Sequence, residues 1–93
     1  GDEFDKYERQ ARKEEQFQNK LEDALVRFRR QGQQLLAEGD MVALRKVYVD
    51  SAVETAVDEE GKEFEVLRKL DDELRALIAE YDVDLDSGPY ADI

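Results

Sequence analysis

From Asp2 to Glu38 the chain runs without a proline and is dominated by Glu, Gln, Lys, Arg, Ala and Leu, the residues that lose least on entering a helix. One long helix is the expected outcome. Gly39 readily takes the left-handed conformation that ends a helix, and the Asp40 carboxylate can accept the free amide hydrogens that open the next. A tight turn is therefore expected at Gly39-Asp40. A first helix of about 36 residues would be ~54 Å long, whereas the helices the rest of the chain can supply, of about 17 to 20 residues, reach only ~25 to 30 Å. The first element must outrun its neighbours.

With Phe4 as position a of a heptad, Phe4, Ala11, Gln18, Leu25 and Gly32 fall at a, and Tyr7, Glu14, Leu21, Phe28 and Leu35 at d. Phe17 and Ala24 widen the stripe at g, while Glu14 and Gln18 interrupt it. Glu8, Glu15 and Glu22 recur every seven residues along one side, and Lys6, Lys13, Lys20 and Arg27 along the other. Such charged columns fit either the solvated flanks of a bundle helix or a parallel self-pair in which acid faces base. Asp5 with Arg9, Glu8 with Arg12 and Asp23 with Arg27 place acid one turn before base, the favourable order on a helix.

Beyond Asp40, Met41, Leu44, Tyr48 and Ala52 form one helical face, flanked by Val49, Val53 and Ala56. The same stretch also alternates as a strand would, at Val47, Val49, Val53, Thr55 and Val57. An α+β alternative with a β-hairpin around 46–66, turning at Asp58-Glu59-Glu60-Gly61, follows from that alternation. The helix is the better reading, because the Asp40 cap, the turn before it and the Ala43-Leu44-Arg45-Lys46 run agree with one another. From about Lys62 to Tyr81, Leu67, Leu70, Leu74, Leu77 and Tyr81 recur at helical spacing, with Phe64 and Ile78 beside them. The fold class expected is all-α: a three-helix antiparallel bundle over residues 1–81 with residues 1–20 as a helical overhang. Residues 82–93, where acids stand close to Gly88 and Pro89, read as an irregular acidic tail.

Leu, Ile, Val and Phe make up about a quarter of the chain, above the roughly 20% below which highly charged chains tend to remain unfolded. The chain holds 25 acids against 14 bases, a net charge of −11. Most of that excess lies after Val57. Such a surface repels phosphate backbones and anionic lipid, so direct nucleic-acid and membrane binding are not expected, and a basic protein partner is compatible. No apolar run approaches the ~20 residues of a membrane span, nor is there the apolar stretch of a signal peptide. A cytoplasmic protein is the expectation.

With no His and no Cys, imidazole and thiolate chemistry are excluded, and the carboxylates sit in runs typical of exposed helices. No catalytic residue, cofactor or metal is expected. Asp82, Asp84 and Asp86 resemble the opening of a calcium loop, but Ser87 stands where the glycine belongs and Ile93 where the bidentate Glu belongs. What remains is a non-enzymatic protein-protein interaction module, an adaptor, regulatory subunit or assembly factor. A homo-oligomer formed through the first helix is expected. The runner-up is an acidic mimic of nucleic acid. Partner-binding candidates are Phe4, Tyr7, Ala11 and Phe17 on the overhang, and Arg27 and Arg30 from the concentrated basic cluster that also includes Arg29.

Overall fold

The computed structural model describes the backbone of residues 1–87 and side chains as far as Asp82. It contains three helices in a bundle: α1 (Asp2–Glu38), α2 (Met41–Ala56) and α3 (Glu63–Ser87). The β-hairpin alternative is excluded, since residues 46–66 comprise most of α2, a short turn and the start of α3.

The first turn forms as its residues dictate. Gly39 has φ 72°, its amide donates to the Leu36 carbonyl (3.1 Å), and the Asp40 amide donates to that of Leu35 (3.0 Å). These two bonds satisfy carbonyls that the helix end would otherwise leave open. Asp40 then caps α2 by accepting from the Ala43 amide at 3.0 Å. The second turn, around Asp58 and Gly61, carries left-handed backbone at both residues, φ 61° and 77°. Glycine does this without cost and aspartate more easily than most other residues.

The core consists of Phe17, Leu21, Phe28 and Leu36 from α1, Leu44 from α2, and Val66, Leu70 and Leu77 from α3. Tyr48 packs edge-on against Phe28, centroids 6.2 Å apart. Burying each large apolar side chain contributes roughly 1.5–3 kcal/mol, the main force holding three polar-faced helices together. Where α1 passes α3, Gly32 is buried, and a Cβ at this position would come within 2.6 Å of a Leu77 methyl. A side chain there would have to push Leu77 out of its place in the core.

Two expected boundaries are corrected. Phe17 is only 1% exposed and belongs to the core, and Lys62 already reaches Glu14, so the overhang ends at Lys13 and not at residue 20. The cause is the register of α3, which begins level with Glu14 and Gln18 and so covers the g-side of α1 down to Phe17. The third helix also continues through residues 82–87, which were expected to be irregular. Nothing in Asp82-Val83-Asp84-Leu85-Asp86 forbids a helix, since each costs only tenths of a kcal/mol relative to Ala, and the first true breakers are Gly88 and Pro89. Residues 88–93 lie outside the described residues.

Gly32→Val should destabilise the fold by about 1–3 kcal/mol, the usual range for forcing extra volume into a packed contact. Urea denaturation monitored by circular dichroism checks this.

Candidate interaction surface

Residues 2–13 of α1 stand clear of the bundle, which first meets the helix at Glu14. Phe4 is 62% exposed and Tyr7 71% exposed, with Ala11 exposed on the same side. Together with Glu8, Arg12 and Glu15 they line one shallow groove along the helix. Glu8 reaches Arg12 at 3.9 Å across one turn. The stripe is thus edged by two carboxylates and the Arg12 guanidinium. The basic column instead leads round to α2, where the Lys20 ammonium donates to the Val57 carbonyl (3.4 Å) and lies 3.8 Å from a Glu59 oxygen.

The two polar residues that interrupt the heptad hold the bundle's lower end. Glu14 accepts from Lys62 at 2.5 Å, and the Gln18 amide donates to Glu14 and to Glu65, each at 3.0 Å. Lys62 also lies 5.0 Å from the centre of the Phe17 ring, the geometry of a cation–π contact. Hydrogen bonding to Lys62, and then to Gln18, holds the Glu14 carboxyl below its ordinary range. The same bond raises the Lys62 ammonium.

Of the sequence-predicted partner residues, Phe4, Tyr7 and Ala11 lie together on the overhang, whereas Phe17 is enclosed. Arg27 and Arg30 are exposed on α1, well apart from that stripe. Arg27 lines a depression with Asp50 and Glu54 of α2. Their neighbour Arg29 pairs with Glu73 of α3, which raises the guanidinium pKa. Higher in the bundle, the Tyr48 hydroxyl donates to Asp71 at 2.5 Å, and that bond, with burial, pushes its pKa up to about 12. These shifted groups all join one helix to another.

A second exposed apolar surface has no counterpart among the predicted residues. Val42 (84% exposed), Val49 and Val53 (63%) lie on the outside of α2, and Phe64 (78%), Leu67 and Ile78 on α3. Its signal was present in the sequence, because α2 has apolar residues on every side and one bundle can bury only one of those faces.

Among the described residues, no three or more metal-ligating side chains gather as a site, and no helix is long and apolar enough to cross a membrane. The calcium reading needs Asp84 and Asp86, whose side chains lie outside the described residues. Comparison with known protein families, curated proteins and solved structures gives no match.

The Glu14–Lys62 bond generates a pH prediction. Because the folded-state pKa of Glu14 lies below its ordinary 4.5, its contribution is fully present above that pH and is lost as pH falls through the folded value. Glu14→Gln should therefore melt at a lower temperature than the parent at pH 7. The difference should close as both are acidified below pH 4.5, as followed by thermal denaturation.

Proposed function

We propose that this chain is a non-enzymatic protein-protein interaction module that works by presenting the N-terminal part of α1 to a partner. One observation carries the reading: about a dozen residues of helix project beyond the bundle, with Phe4, Tyr7 and Ala11 aligned on one exposed side. An isolated helix of that length is marginal in water, and aligned exposed aromatics are a common mark of contact surfaces. The perturbed groups support the same reading, since Glu14, Lys62, Arg29 and Tyr48 are each shifted by a partner on a neighbouring helix. Ties of that kind stabilise a scaffold.

A nucleic-acid mimic could draw on only part of the acidic third. Glu59, Glu65, Asp71 and Glu73, four acids of the last third, are directed at Lys20, Gln18, Tyr48 and Arg29 of this same chain. A mimic would need such acids free on one face.

A photo-crosslinking amino acid at Tyr7, in full-length protein expressed in cells, should give discrete protein adducts. The same probe at Lys13, outside the groove, should give few. Equal yields from the two positions would contradict the proposal.

A further inference from the structure

We propose that the overhang of one copy docks on the outer α2–α3 face of a second copy, adding a fourth helix to that copy's bundle. The inference rests on the reading of the overhang as a contact surface and names what it contacts.

The receiving face is continuous across two helices. Val42, Val49 and Val53 share one side of α2, spaced seven and four residues apart, and all three are exposed. The Tyr48–Asp71 hydrogen bond ties α2 to α3, and counting away from it along the antiparallel pair brings Val42 level with Ile78 and Val53 level with Leu67. Phe64 lies about one turn beyond. Beneath this face, Ala52, Ala56 and Leu74 pack on the core, so small alanine side chains on one wall leave a channel between two rows of larger ones. A helix laid there would bury apolar surface that the bundle leaves in water.

Length, polarity and charge each point to a second copy as the occupant. From Phe64 to Ile78 the face runs ~21 Å along α3, and the overhang, at ~1.5 Å per residue, is about the same. Phe4, Tyr7 and Ala11 supply two aromatic anchors and a small residue suited to close approach. The overhang stripe is lined by Glu8, Arg12 and Glu15, with Arg12 paired to Glu8, while the receiving face is lined by Arg68 and Arg75 beside Phe64 and Leu67, together with Asp72 and with Asp71, which Tyr48 holds. Lys46 lies between Val42 and Val49 on α2. Among the described residues Glu15, Lys46, Arg68 and Arg75 form no salt bridge within the chain. Glu15 at the foot of the overhang can thus meet Lys46, Arg68 or Arg75 when the overhang enters this face. Two overhangs paired antiparallel would instead bring the Glu8 and Glu15 edges of both copies to one seam, where like charges oppose association.

Complementation between full-length variants tests this. Phe4→Glu/Tyr7→Glu alters only the overhang, and Val53→Glu/Phe64→Glu only the receiving face. All four positions are well exposed, and circular dichroism verifies that each variant keeps its helices. Sedimentation velocity is run at 0.15 M ionic strength, where a Debye length of ~8 Å screens the net charge. The parent chain should self-associate. Each variant alone should bind itself about tenfold more weakly or worse, because an unpaired charge carried into an apolar contact opposes it. An equimolar mixture should recover a heterodimer, since it retains one intact overhang and one intact face. The proposal is overturned if the parent stays monomeric, if the Val53→Glu/Phe64→Glu variant associates as tightly as the parent, or if the mixture recovers nothing. Cross-linking of Tyr7 to other proteins while the chain itself stays monomeric would overturn this inference and leave the interaction-module reading standing.

Discussion

The Lys62 ammonium lies 5.0 Å from the centre of the Phe17 ring and 2.5 Å from a Glu14 oxygen, with Glu65 at 3.9 Å. This cluster marks where α3 first meets α1, and the register of the two helices decides where α1 ceases to be covered. Lys62 immediately precedes α3, so tying it to Glu14 fixes the first turn of α3 beside Phe17. Val66, Leu70 and Leu77 then fall into the core in sequence, and Leu77 meets the gap left by Gly32. Below Glu14 nothing in the chain reaches α1. The projection of residues 2–13 therefore follows from one register and the unequal lengths of three helices.

The same economy of length explains the exposed face of α2. A helix of 16 residues wedged between two longer ones has one inward side, occupied by Leu44, Tyr48 and Thr55. Val42, Val49 and Val53 fall outside it. In a bundle whose other outer surfaces are crowded with Glu, Lys and Arg, a row of valines is costly in solubility unless something covers it. The overhang is apolar where it should be polar, and so is α2. Those two anomalies match one another in extent.

Much of this was legible in the sequence. The bounds of α1 followed from its composition and from Gly39-Asp40, whose backbone conformation and capping bond are those the residues favour. The core positions of α3 followed from the spacing of its leucines. What was not legible traces to register, which no local signal encodes. Glu14 and Gln18 looked like defects in a seam, yet they bond to Lys62 and Glu65 at the start of α3, and Phe17 looked exposed because the level at which α3 begins alongside α1 was unknown. The strand-like alternation of Val47, Val49, Val53, Thr55 and Val57 has a related origin: apolar residues on the inner and outer sides of one helix erase its amphipathic period. That ambiguity was itself the trace of the second surface, since a helix with two apolar faces has one too many for a three-helix bundle.

Amide hydrogen exchange, measured by mass spectrometry across a range of protein concentrations, tests most directly the claim that the overhang is held by a second molecule. In dilute solution residues 5–16 should exchange rapidly, as an isolated helical segment opens readily, while amides around Leu21 to Leu36 stay protected by the core. As concentration rises, protection should grow in residues 5–16 and, in parallel, along α2 and α3 near Val53 and Leu67, because association stabilises the segments it joins. Protection of residues 5–16 that is independent of concentration, or that grows with no accompanying change in α2 and α3, would contradict the account.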